Sequence, residues 1–248
     1  MLAEIVRALN HPIHPASKLH SLVIINQLDE VDKKLAKSDD FKAVMSRIDT
    51  LELTIASWHE TENTQDYSAE LDSRDMHLFW GRLLQKYWLI PVSNQLVRLK
   101  LDCRWTYWGY IPKCNLKGIH FPKLRELVLS KMAFTHDWQL NWIISHGKTL
   151  KSLTLNDCPI LHASWVAHAL DDRHYPIFRL GRSPDWPEYI AAEDMTYWTY
   201  KGRWHTYFDK LQAGLPCLRE LDLSLGLLCS SLDPPKLAKS RYCIFGKF

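Results

Sequence analysis

Apolar residues along this chain recur in a six-residue pattern, L-x-x-L-x-L, with Ile in place of Leu at two positions. The pattern falls on Leu19, Leu22 and Ile24, then on Ile48, Leu51 and Leu53, and then on Leu96, Leu99 and Leu101. It returns at Leu124, Leu127 and Leu129, at Leu150, Leu153 and Leu155, and at Leu218, Leu221 and Leu223. Two copies share nearly the same wording, LRELVLS at 124–130 and LRELDLS at 218–224. The terminal L-x-L alternates with period two, so each copy predicts a short strand with two leucines on one face and the residue between them on the other.

Between copies the period changes. THDWQLNWIISHG at 135–147 sets Trp138 and Trp142 four apart, and Leu140 and Ile144 likewise, with Ile143 between them. That spacing predicts a helix burying one broad face, with Thr135 as its N-cap and Gly147 as its stop. RWHTYFDKLQAG at 203–214 repeats the plan, ending on Gly214 with Pro216 just beyond. Leu2, Ile5, Val6 and Leu9 form a short apolar helix face ahead of the first copy.

The starts at 96, 124 and 150 lie 28 and 26 residues apart, inside the range of about 20–29 for leucine-rich repeats. The fifth copy continues as Asn156-Asp157-Cys158-Pro159-Ile160-Leu161, close to that consensus. Steps of 29, 48 and 68 elsewhere add one regular step and two insertions. The expected fold is therefore α/β: an irregular leucine-rich-repeat-like solenoid of short parallel strands and return helices. It spans 1–231 as one domain, with an aromatic-rich insertion over about 162–202, and a basic tail at 232–248, expected to be solvated.

Charge narrows the function classes. The net charge is +3, and the tail supplies it, with Lys236, Lys239, Arg241 and Lys247 against Asp233. The remaining residues balance, so neither a nucleic-acid surface nor a membrane surface is expected. No apolar run approaches the roughly 18 residues of a membrane span. Six cysteines, none in a C-x-x-C pair, and an N-terminus without an apolar signal core point to an intracellular protein with reduced thiols, cytoplasmic or nuclear.

Catalytic motifs are scarce. Gly147-Lys148-Thr149 mimics the end of a P-loop, but Trp142 stands where the first glycine belongs. His11-Pro12-Ile13-His14 has no Cys or carboxylate nearby to complete a metal site, and Asp171-Asp172-Arg173-His174 reads as a solvated loop. No cofactor, metal or catalytic residue is expected.

The block FPKLRELVLSKMAFTHDWQLNWIISHGKTLKSLTLNDCPIL at 121–161 resembles the repeat region of fungal F-box proteins. GRWHTYFDKLQAGLPCLREL at 202–221 and FWGRLLQKYWLIPVSNQLVRLKL at 79–101 extend the likeness. The resemblance implies a substrate-recognition subunit of a cullin-type ubiquitin ligase, whose F-box binds the Skp1 adaptor and whose repeats hold the target. Here the first repeat begins at Leu19, and the 18 residues ahead of it are too few for an F-box. The expectation is a non-catalytic protein-recognition module with no Skp1 contact of the usual kind and a target the sequence does not name.

In this repeat class the residues alternating with the leucines face the partner. They are Glu52 and Thr54, Lys100 and Asp102, Val128 and Ser130, Thr154 and Asn156, and Asp222 and Ser224. Trp105, Tyr107, Trp108 and Tyr110, in the loop CRWTYWGYIP after the third strand, are candidate aromatic anchors; the competing reading has them filling space between loop and sheet edge. The alternative function is an enzyme or small-ligand receptor, with a pocket between the aromatic insertion and the strand face, drawing on Asp171, Asp172 and His174.

Overall fold

The computed structural model describes residues 2–11, 18–56, 74–104, 106–166, 169–177 and 196–224. Trp105, Trp186, the 12–14 part of the histidine motif and the basic tail lie outside the described residues.

All six copies of the apolar pattern are strands. They are β1 (Ser21–Leu28), β2 (Thr50–Ala56), β3 (Arg98–Cys103), β4 (Glu126–Ser130), β5 (Ser152–Asn156) and, past two strands of the insertion, β8 (Glu220–Ser224). They form one parallel sheet in chain order, β1-β2-β3-β4-β5-β8. The α/β expectation holds.

The pairing register explains why the pattern repeats. Leu22, Leu51, Leu99, Leu127, Leu153 and Leu221 sit side by side across the sheet, and Ile24, Leu53, Leu101, Leu129, Leu155 and Leu223 form a second row. From β2 to β5 both rows are buried. A one-residue slip would turn both rows out to water, so the apolar alternation fixes the register. The first apolar position of each copy lies just ahead of its strand, and Ile48, Leu96, Leu124 and Leu150 are fully buried there. Positive φ also recurs two residues past the last apolar position of a copy: at Asn26, in a bulge within β1, and at Lys131 and Asp157, just past β4 and β5.

The helices cover the leucine side. They are α1 (Leu2–Leu9), α2 (Lys33–Lys37), α3 (Asp39–Met45), α4 (Arg74–Leu78), α5 (Asp137–Ile144) and α6 (Trp204–Gly214). α4 runs on into a π-helical segment, Phe79–Leu89, which buries Phe79 and Trp80, Leu83 and Leu84, and Tyr87 and Trp88. One core cluster extends from Val6 to Leu215. Both helices expected between repeats are present, but the N-cap of α5 is His136 rather than Thr135. The fully buried Gln139 decides this, since its side-chain oxygen accepts the N–H groups of Thr135 at 2.7 Å and His136 at 2.9 Å. The amide nitrogen of Gln139 donates to the Ala133 carbonyl at 3.0 Å.

The insertion contributes the antiparallel pair β6 (Ala163–Val166) and β7 (Thr196–Thr199). Its described part packs beside the start of α5, where Val166 and Tyr175 bury against Tyr110 and Trp138. Among the described residues no helix is long and apolar enough to cross a membrane.

α5 ends at Ile144 rather than at Gly147, three residues on, while α6 runs to Gly214. A Cβ on Gly147 would sit 2.1 Å from the Gly214 carbonyl oxygen, and one on Gly214 would sit 2.5 Å from Cγ2 of Ile144. The ends of α5 and α6 thus meet at a distance only glycine allows. Gly147→Ala is expected to lower stability by about 1–3 kcal/mol, the usual cost of overpacking. Gly81→Ala, whose added carbon would meet nothing closer than 3.7 Å, should be neutral; chemical denaturation midpoints of the two variants check the contrast.

His146, 1% exposed, closes the same region. Its Nδ1–H donates to the Trp142 carbonyl at 2.9 Å and its Nε2 accepts the Phe121 N–H at 3.2 Å, a pair of roles open only to the neutral ring. Burial, and then the neighbouring His120, hold its pKa down at about 4. The unfolded chain takes up this proton near pH 6.5 and the folded chain only near pH 4, so stability falls as pH drops through that window. The loss reaches about 3 kcal/mol. Denaturation midpoints from pH 7 to pH 4 should show this slope, and His146→Phe should flatten it.

Candidate functional site

The face opposite the leucine rows carries the alternate residue of every strand. Its central row reads Val23, Glu52, Lys100, Val128, Thr154 and Asp222, fixed by the same register. The row towards the carboxyl ends holds Ile25, Thr54, Asp102, Ser130, Asn156 and Ser224. Three of the expected residues lie on this face, Lys100 and Asp102 half-buried on β3 and Asp222 exposed on β8, with β4 and β5 between the two strands.

Ion pairs stiffen this face. The Arg98 Nε donates to Glu52 at 2.9 Å and its Nη1 to Glu126, so one guanidinium on β3 joins β2 and β4. Hydrogen bonds donated to Glu126 and then to Glu52 hold that guanidinium firmly protonated. Asp102 differs. Burial raises its carboxyl pKa, partly offset by the positive charges of Lys100 and Lys131. Lys131 is itself buried, its ammonium donating to the Arg104 carbonyl.

Farther along, the polar residues at the strand ends bind one another. Ser224 donates to the Asn156 side-chain oxygen, and the Asn156 amide donates to the buried Ser130 hydroxyl at 3.4 Å. The Tyr107 hydroxyl reaches both carboxylate oxygens of Asp157, at 3.0 and 2.9 Å. Ser130 and Asn156 thus lie where expected, but they are spent on joining β4, β5 and β8.

The aromatic loop corrects the expectation. Trp108 is fully buried, stacked on Trp80 with ring centroids 4.9 Å apart, and its Nε1 donates to the Ser130 carbonyl at 2.8 Å. Tyr110 is buried as well, stacked on Trp198 at 5.7 Å. Neither side chain is available to a partner. Both fill space behind the loop, because the stacking rings that receive them, Trp80 and Trp198, come from distant parts of the chain. Of the four aromatics, Tyr107 alone is described and partly exposed.

An apolar corner escaped sequence reasoning. Val23 and Ile25 are 53% and 70% exposed on β1, at the edge of the sheet. The run LVIIN hides the alternation, because apolar residues occupy both faces; the register of Leu22 and Ile24 was the signal that would have placed Val23 and Ile25 outward.

A cleft of about 300 Å³ opens elsewhere, lined by Lys117, His136, Trp138, Asp172, Arg173, His174 and Tyr175. It lies between the insertion and the start of α5, and the described residues that line it include none of the strand face. The His136 ring stacks on Tyr175 at 4.2 Å. Its Nε2 donates to the Arg173 carbonyl and its Nδ1 pairs with the Thr135 hydroxyl, both at 2.7 Å. Burial lowers its pKa, and with both nitrogens engaged it is unsuited to proton transfer. Asp171 is also structural: burial works to raise its pKa, but Lys113 at 2.8 Å and the N–H groups of Arg173 and Tyr175 hold it below the usual range. That leaves Asp172 and His174 as the candidates of the motif that border the cleft.

Cys103, Cys114 and Cys158 are buried free thiols, used as small apolar residues, and Cys217 is a free thiol at the surface. Burial pushes the thiols of Cys114 and Cys158 well up, which keeps them unreactive.

The chain matches no family model, no curated protein and no solved structure.

The raised carboxyl of Asp102 costs stability wherever it must ionise in place. The folded pKa lies above the unfolded one, so this cost is absent in acid and fully present once pH exceeds the folded pKa. Asp102→Asn should raise the melting temperature at pH 7 and have little effect at pH 3. Paired thermal melts at the two pH values check it.

Proposed function

We propose that this chain is a non-catalytic protein-recognition module built as a leucine-rich-repeat-type solenoid, and that it grips its target with the open strand face. The observation that carries the reading is the in-register stacking of six L-x-x-L-x-L strands in chain order. A sheet of this kind buries one side and leaves the other as a continuous surface. Mixed charge across that surface, with an apolar corner at Val23 and Ile25, suits hydrogen bonding and ion pairing around one buried contact. Its chemical class agrees with the likeness to the target-binding half of fungal F-box proteins, and on that reading the chain selects substrates for a cullin-type ligase.

A second reading rests on the cleft. Lys117 and Arg173 lie there beside aromatic rings, an arrangement suited to a small anionic ligand.

The test is affinity capture from fungal lysate with the wild-type chain and with a face variant, Lys100→Glu combined with Asp222→Lys. A target bound by the wild type and lost in the variant is the expected result. Skp1 and a cullin in the same eluate support ligase membership, while a face-dependent target without them leaves a stand-alone recognition module. If nothing bound depends on the face, the recognition reading fails and the cleft reading takes its place.

A further inference from the structure

One more row crosses the sheet, at the position just ahead of the strands: His20, Asp49, Val97, Arg125, Lys151 and Arg219. Backbone bonds link it throughout, each N–H donating to the carbonyl of the preceding member at 2.7 to 2.9 Å. Its second half is entirely cationic. The Lys151 N–H meets the Arg125 carbonyl at 2.7 Å, and the Arg219 N–H meets that of Lys151 at 2.8 Å. These three charged side chains therefore spring from neighbouring backbone positions about 4.8 Å apart. Like charges placed directly opposite on adjacent strands are destabilising.

Nothing described relieves that repulsion. All three side chains are exposed, and none forms an ion pair among the described residues. Glu126 follows Arg125 in the chain but is held by Arg98, and Glu220 makes no ion pair with Arg219. Lys123 and Lys148, also exposed, lie just ahead of the row and add to its charge. The balanced charge tally along the chain conceals this cluster, because its members come from three segments as far apart as 123 and 219.

We propose that this margin docks an acidic segment of a partner protein, a run rich in Asp and Glu. Charge complementarity selects the occupant, and reach sets its length. The row from Arg125 to Arg219 spans roughly 10 Å, which an extended run of three or four residues covers at about 3.3 Å each. This margin is at the amino ends of the strands, whereas Asp102, Ser130 and Asn156 lie towards the carboxyl ends. Docking here therefore stands independently of recognition by the strand face.

The probe is a fluorescein-labelled peptide with a run of four glutamates flanked by glycine and serine, titrated by anisotropy at about 50 mM and about 300 mM salt. Saturable binding that weakens at the higher salt is expected. Reversal of the row (Arg125→Glu, Lys151→Glu and Arg219→Glu together) should weaken it by at least about tenfold, while reversal of Lys33 and Lys34 on α2 should leave it unchanged. Lys151→Gln should melt at or above the wild-type temperature, since it relieves repulsion, which separates loss of binding from loss of fold. Binding that survives the row reversal, falls equally in the α2 control, or is exceeded by a single-stranded oligonucleotide of equal charge would overturn the proposal, the last in favour of nucleic acid. A lower melting temperature for Lys151→Gln would also count against it, by showing the row to be satisfied within the protein.

Discussion

Two rows of leucine side chains, stacked strand upon strand, are the constraint on which the rest of this structure depends. Neighbouring parallel strands lie about 4.8 Å apart, so each leucine touches its counterparts on both sides, and a row is only as well packed as its weakest member. Truncating one buried leucine costs about 2–5 kcal/mol. Every segment joining two strands must then bring the chain back to the same height and facing. The left-handed residues Lys131 and Asp157 meet that demand just past β4 and β5, and the Gly147–Gly214 approach meets it near the ends of two helices.

The same constraint explains why the polar interior is small and specific. Gln139 and His146 are both buried, and each satisfies backbone groups of loops that a helix alone would leave unpaired. Gln139 serves the strand-to-helix turn ahead of α5, and His146 ties the end of α5 to the turn ahead of β4. Leaving such buried donors unmade would cost more than the bonds themselves gain. These residues let connections of unequal length feed strands of equal register.

Legibility in the sequence follows from what is periodic. All six strands and both helices between repeats could be read, because burial on one face writes itself into the spacing of leucines and tryptophans. That Gly214 closes α6 was visible, but α5 ends at Ile144, ahead of Gly147, and the contact between the two glycines was not visible because they lie 67 positions apart. The cap of α5 was misplaced by one residue because threonine is a favoured N-cap type, whereas Gln139, three residues on, marks His136 as the cap. The aromatic loop failed for a related reason. Trp108 and Tyr110 look alike as anchors or as fillers until their stacking partners, Trp80 and Trp198, are known, and those come from beyond the local sequence. Lateral neighbours are a property of topology, and single-chain spacing does not report them.

Charge shows the same distinction between order along the chain and order across the sheet. On the strand face, Glu52, Glu126, Glu220, Asp102 and Asp222 outnumber Arg98 and Lys100, while the row just ahead of the strands ends in Arg125, Lys151 and Arg219. In LREL each basic residue is followed at once by an acidic one, so along the sequence the charges cancel. Parallel, in-register stacking sorts them instead. It aligns Arg125 with Lys151 and Arg219 in one row, and sets Glu126 and Glu220 in the next row together with Arg98. Side-by-side stacking of these copies therefore gathers like charges along half of the amino margin, next to a strand face on which acids and bases mix. The repeated phrase fixes the leucines for the core and, in the same stroke, the polarity of the surface.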